Sequence, residues 1–344
     1  MTEYTPKTRL AAVLNQTEKV DRMPAVCVTQ TGTVDLMEAS GIFWPEANYD
    51  AKMLAGLAAA AHTEIGFEAI RVPFDITAEA EFFGCGIKEG TKVQQPSVIN
   101  HVVNSLDDLK QFEGYDINDS SKRTSIILES IKIVAEKYGA ELPIIGSMIG
   151  PFSLAQHITG DSWFMDIMTK EEYGLAIMEF TTEFGIAYAN AQVDNGADTL
   201  SIIDPTASYS LIGGEFYKKF VVPFHAKLVE AMHARNVPVV LHVCGDTTEG
   251  LAIMELAGID AISVDQNVNA ATAVSKVEKT LIVGNLDPVN CLWNTDVETV
   301  TAESKRVLKE LDGKGLLAPG CGIVSQTPTA HLRAMVEVAK SYKY

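Results

Sequence analysis

Eight apolar runs rich in β-branched residues punctuate the 344-residue chain, and each is short enough to be a strand. They fall at 25–30, 69–74, 143–150, 199–204, 238–244, 261–266, 280–285 and 315–319. Between most of them the apolar positions recur every three or four residues, the period of a helix with one buried face. That spacing predicts helices over 52–62, 124–137, 170–195, 214–235, 247–256, 297–311 and 328–342. Strands alternating with helices build a parallel sheet joined by helical crossovers. Eight such strands in a chain of this length predict one (β/α)8 barrel of the TIM type over 1–344, with a helical segment before the first strand. The stretch 75–142 is longer than a crossover needs, so it holds an insertion. Within it, 98–103 reads as part of a hairpin or lid.

In such a barrel the chemistry gathers at the C-terminal ends of the strands. The polar residues there are Gln30 and Thr31, Arg71 and Asp75, Ser147, Asp204, His242 and Cys244, Asp265 and Gln266, Asn285 and Asp287, and Cys321. A polar group inside an apolar run costs free energy unless it is hydrogen-bonded or functional. Asp is also a favoured helix cap, which is the reading for Asp246, just before a helical stretch. Asp265 fits a cap and a functional role equally.

His242 and Cys244 carry the sharpest signal. Residues i and i+2 of a strand point to one face, so the two side chains project together near a strand end. Cys321 follows another apolar run, between Gly320 and Gly322. Chance gives roughly 0.1 H-x-C pairs in a chain of this composition, so the placement at strand ends adds as much as the pair itself. Two arrangements satisfy the pattern. One is a core histidine beside two inert buried thiols. The other is a zinc site with three protein ligands and an open fourth position, the catalytic kind.

The formal charge of −18 argues against nucleic acid and anionic membrane surfaces as partners. No apolar run reaches the length of a membrane span, and Met1-Thr2-Glu3-Tyr4 does not open a secretory signal. The five cysteines, at 27, 85, 244, 291 and 321, are odd in number and scattered, which suits a reducing cytoplasm.

The segment 143–150 with Pro151-Phe152-Ser153, the Asp204-Pro205 strand end, His242-Val243-Cys244-Gly245-Asp246 and Gly284-Asn285-Leu286-Asp287-Pro288 together resemble the uroporphyrinogen decarboxylase superfamily over nearly the whole chain. That resemblance implies a distorted (β/α)8 barrel. Within it, the H-x-C pair and the later G-C-G resemble the zinc-dependent methylcobamide:coenzyme M methyltransferases of methanogenic archaea. This second likeness implies methyl transfer from a corrinoid to the thiol of coenzyme M, in methanogenesis from methanol or methylamines. By the same likeness His242, Cys244 and Cys321 would hold Zn2+, and the fourth ligand is not assigned by motif. Asp265 would accept the thiol proton, with Glu249 and Asp204 behind it. Arg71, Gln30 and Asn285 would contact the substrate, Arg71 at its sulfonate.

The decarboxylase itself shares this fold. Its eight-carboxylate substrate calls for arginines near the N-terminus. This chain has Thr29-Gln30-Thr31 there, and only Arg71 among its seven arginines falls at a strand end. Permanent corrinoid binding uses an Asp-x-His-x-x-Gly motif. The nearest match, 155–160, begins with Ala155 and has no further domain beside it, so the methyl donor is expected on a separate corrinoid protein. His157 in that stretch reads as a helix-face or pocket residue. A non-catalytic, zinc-containing docking module is the remaining alternative. A structural zinc normally takes four protein ligands, and Cys27, Cys85 and Cys291 have no motif company.

Overall fold

Seven parallel strands form one curled sheet in the computed structural model, which describes residues 4–343; residues 1–3, part of the opening read as no secretory signal, lie outside it. In chain order the strands are β1 (Ile70–Val72), β2 (Ile87–Lys88), β3 (Ser97–Val98), β4 (Ile144–Ile149), β5 (Thr199–Ile203), β6 (Val239–Val243), β7 (Ala261–Val264), β8 (Leu281–Leu286) and β9 (Gly315–Pro319). β1 and β4 to β9 make the sheet, each pairing with the next, while β2 and β3 pair only with each other. Every residue in the seven sheet strands is buried, as expected of a parallel sheet covered on both faces.

The eighth expected strand, 25–30, is not one. It is reduced to a single parallel bridge, Ala25 to Leu317. Two features nearby explain this. Pro24 has no N–H to extend a ladder. On the other side the Glu68 carboxylate accepts the Ala25 N–H at 3.0 Å and the Glu68 N–H returns a bond to the Ala25 carbonyl at 3.0 Å. Arg9 and Arg22 hold that buried carboxylate at 3.0 and 2.7 Å.

Side chains on alternate positions set up the site. Ile145, Val240, Ala261, Leu281, Val283, Leu316 and Ala318 share one buried cluster on the inner face of the sheet. Leu10, Val13 and Leu14 of the helix Pro6–Leu14 join the same cluster. Two residues further along the strands the inner face turns polar, with Ser147, His242 and Ser263. The apolar layers therefore form a floor beneath a polar upper layer.

The helices 124–137, 170–195, 297–311 and 328–342 appear as Arg123–Tyr138, Glu171–Asp194, Val297–Leu311 and Thr329–Ser341. The expected 52–62 helix is Ala51–Ala60 plus a wider turn, Ala61–Ile65. The expected 214–235 helix breaks into Gly214–Phe220 and Val222–His233, because Pro223 suits the first turn of a new helix better than the interior of an old one. Likewise 247–256 is three short turns. A small antiparallel hairpin of β2 and β3 lies within 75–142, and of the stretch 98–103 it includes only Val98.

Candidate metal centre

His242 sits in β6 and is 1% exposed, with its strand neighbours Ile203 on β5 and Ser263 on β7. Its Nδ1 lies 3.2 Å from the Ser263 carbonyl oxygen and 3.1 Å from the Ser263 hydroxyl. A carbonyl only accepts, so Nδ1 carries the proton and Nε2 is left to bind. Cys244 follows β6 directly, and its Sγ is 3.4 Å from that Nε2. Cys321 follows β9. Gly320 brings it in, since a Cβ there would lie 2.7 Å from the Gln266 backbone nitrogen. The two sulfurs are 3.9 Å apart, both as free thiols.

All three donor atoms lie within 4.8 Å of one another. Tetrahedral zinc with ordinary bond lengths would place two sulfurs about 3.8 Å apart and a sulfur about 3.6 Å from a nitrogen. The 3.9 and 3.4 Å separations found are within a few tenths of an ångström of those values. The donor set thus fits a soft metal with one position open to the cavity. Among the described residues no other cluster of three such donors occurs. The two thiols are not equivalent: a hydrogen bond from Cys244 holds the Cys321 thiol below its ordinary value, while the same bond and burial push Cys244 up.

The cavity above these ligands measures about 320 Å3. Phe74, Ile203 and Pro205 give it apolar walls, and Gln30, Arg71 and Gln95 give it polar points. The buried Arg71 donates to the Ser147 hydroxyl at 2.6 Å and to the Pro73 carbonyl. Its Nε has no partner within the described residues. Burial lowers this guanidinium to about 10, so it is still a cation at neutral pH. Gln30 donates to the Ile323 carbonyl at 2.9 Å and leaves its Oε1 without a partner among the described residues.

The other expected site residues do different work. Asn285 does not line the cavity; its amide ties the carbonyls of Asp265 and Val268, at 2.9 and 2.5 Å. Asp265 accepts from the Gly245 N–H at 3.1 Å and from the Asn267 backbone and side chain at 3.0 and 2.9 Å. Its carboxylate therefore fixes the loop that carries Cys244. Asp204 holds the start of the helix Pro151–Thr159 through Ser153 and bonds His225 at 2.8 Å. Glu249 pairs with Lys276 on the surface. Asp246 caps the next turn by accepting the Thr248 N–H at 3.0 Å.

Gln95 is the residue that sequence reasoning missed. Its loop, between β2 and β3, folds back over the metal site, and both atoms of its amide are buried without a partner among the described residues. Nothing in its local sequence, Val93-Gln94-Gln95-Pro96, marks it.

Fold and site together define an α/β chain with a curled parallel sheet and a His/Cys cluster at its strand ends that could hold a metal ion. Residues 5–342 match the uroporphyrinogen decarboxylase (URO-D) family, and the chain belongs to it. The methylcobamide:CoM methyltransferase MtbA of Methanosarcina acetivorans is 60% identical over 344 residues, all of both chains. The methylcobamide:CoM methyltransferase MtaA of Methanosarcina barkeri is 36% identical over 348 residues, 99% of each chain. The solved structure of a methyltransferase from Methanosarcina mazei superimposes with a TM-score of 0.89 at 35% identity, covering 98% of this chain and 99% of that one.

Proposed function

We propose that this chain transfers a methyl group from a methylated corrinoid to the thiol of coenzyme M, with Zn2+ held by His242, Cys244 and Cys321. The observation that carries the proposal is the clustering of those three donors within 4.8 Å of one another beneath a cavity of about 320 Å3. The names of the full-length relatives supply the substrates. Bound zinc would keep the substrate sulfur as a thiolate, and two cysteine thiolates with one imidazole would leave it electron-rich, so the sulfur stays nucleophilic. That sulfur forms a bond to the methyl carbon as the carbon–cobalt bond breaks. Both electrons of the broken bond stay on cobalt, which goes from Co(III) to Co(I).

The chain's own residues position these partners. Arg71 Nε and the Gln95 amide are free donors in the cavity and suit the sulfonate oxygens. Gln30 presents an acceptor in the same cavity. Asp265 serves as a positioning residue for Cys244, because its carboxylate accepts the Gly245 N–H next to that cysteine and two N–H groups of Asn267. The thiol proton then leaves to solvent through the cavity mouth. The segment after Pro24 completes the curled sheet as an irregular eighth stave between β9 and β1. A separate corrinoid protein of the methanol or methylamine route would deliver the donor, in a reducing cytoplasm that keeps all five thiols free. No described helix is long and apolar enough to cross a membrane.

The test is transfer from methylcobalamin to coenzyme M, followed by loss of the methyl–cobalt absorbance and by product mass. Zinc-loaded protein should show transfer, chelator-stripped protein should not, and zinc should restore it. A zinc-loaded protein that leaves methylcobalamin intact with every thiol offered would overturn the proposal.

A further inference from the structure

A second cavity, of about 660 Å3, lies beside the metal cavity. Ile76 and Pro96 belong to the walls of both. Its remaining lining is chiefly uncharged and hydrogen-bonding. Asn100 and His101 come from the segment after β3, and Gln156, His157 and Ser162 from the helix Pro151–Thr159 and the turn beyond it. No Lys or Arg lines this space, and Asp161 is its only acid.

The site is built rather than incidental. His157 Nδ1 is buried and has no partner among the described residues. Burial pulls the His157 imidazole down to about 4, so at neutral pH it is uncharged and offers one donor and one acceptor. Gly160, at φ +88°, lets the His101 ring come close; a Cβ there would lie 2.6 Å from His101 Nδ1. Thr77 in the wall is braced from below by Arg123, at 2.6 Å, and by Asp75. A buried nitrogen without a partner is destabilising unless something hydrogen-bonds it, which points to an occupant.

The lining selects the occupant by charge. Carboxylates would need cations, and none is present. Primary amides need neutral groups that both donate and accept, and this wall supplies them. The perimeter of a corrin ring carries a set of such acetamide and propionamide arms. We propose that this cavity seats the amide-bearing edge of the corrin ring while the methyl group faces the metal cavity across Ile76 and Pro96. This inference rests on the methyltransferase reading and names where its donor binds.

The experiment uses zinc-loaded full-length protein and two donors, methylcobalamin and methylcobinamide; the second keeps the ring amides and lacks the nucleotide. Equilibrium binding by ultrafiltration and the KM for each donor are measured for wild type, His157→Leu and Gln156→Ala. Both variants should bind both donors about ten-fold more weakly, with zinc content, melting temperature and KM for coenzyme M unchanged. Gln156→Ala, at a half-buried helix position, carries the test if His157→Leu fails to fold. A loss confined to methylcobalamin would make the nucleotide the occupant and overturn the proposal. Unchanged binding of both donors would overturn it equally. Wild-type binding of both donors without transfer would instead sink the methyltransferase reading and leave the cavity assignment standing.

Discussion

Cys244 and Cys321 are half-buried, 3.9 Å apart, and joined to His242 by contacts that a metal would replace. Removing either sulfur leaves two donors, too few to hold zinc tightly. Cys244→Ala and Cys321→Ala are therefore expected to lose stoichiometric zinc, by atomic absorption, while retaining the wild-type circular dichroism spectrum. Cys291→Ala should keep both metal and activity, since its thiol is no part of the donor cluster. A different residue governs stability. Glu79 is 1% exposed, and burial raises its carboxyl to about 7. A raised acid binds its proton more tightly in the folded state. Its contribution is thus complete below the unfolded value near 4.5 and is lost as pH rises through about 7. The span corresponds to at most roughly 3 kcal/mol. Glu79→Gln keeps the oxygen that accepts the Ile149 N–H at 2.9 Å and removes the titration. Denaturant melts of this variant should lose less stability than wild type between pH 5 and 8; parallel curves would show that Glu79 does not titrate there.

The loop between β6 and the turn after it depends on β7 for its position. Asp265 reaches from the end of β7 to the Gly245 N–H, one residue beyond Cys244. An amide in place of this carboxylate would turn an N–H2 toward an N–H or give up one acceptor. Asp265→Asn should therefore weaken zinc affinity about 10-fold or more, as loss of an outer orienting group does, read by competition with a coloured chelator. A variant with native zinc affinity and a slowed transfer rate would return Asp265 to the role of proton acceptor. The contrast with His242 and Cys244 explains how far the sequence could be read. Their common face follows from the two-residue period of one strand, and Cys321 lies at the end of another, so the cluster of three donors was legible. The bonds of Asp265 to Gly245 and of Asn285 to Asp265 and Val268, and the place of Gln95 in the cavity wall, join loops distant in sequence, which no local pattern encodes. The seven strands were legible as apolar runs for the same reason as the donor cluster. The stretch 25–30 has the composition of a strand but loses its ladder to Pro24 and to the Glu68 carboxylate. The helices Pro151–Thr159 and Trp163–Thr169 escaped because the first follows β4 after a single residue, so strand and helix merge into one apolar run.

Across the whole molecule, the arginines decide between the two chemistries this fold hosts. Arg9 and Arg22 close on Glu68, and Arg123 is buried between Asp75 and Glu81. Arg235 pairs with Asp194, Arg306 with Glu303 and Glu310, and Arg333 with Glu64. Six of the seven arginines are thus committed to the chain's own acids, and Arg71 alone lines the metal cavity. No lysine lines either that cavity or its neighbour. A formal charge of −18 makes the molecule as a whole repel a polyanion. One cation can hold the single sulfonate of a small thiol, but eight carboxylates on a macrocycle would lie unpaired against apolar walls, each at the cost of desolvation. We therefore expect no coproporphyrinogen from uroporphyrinogen under anaerobic assay, with or without zinc, and no competition by uroporphyrin against methylcobalamin at low salt. Formation of coproporphyrinogen at a rate above the uncatalysed background would mean that the cavity rearranges to expose cations now locked in ion pairs.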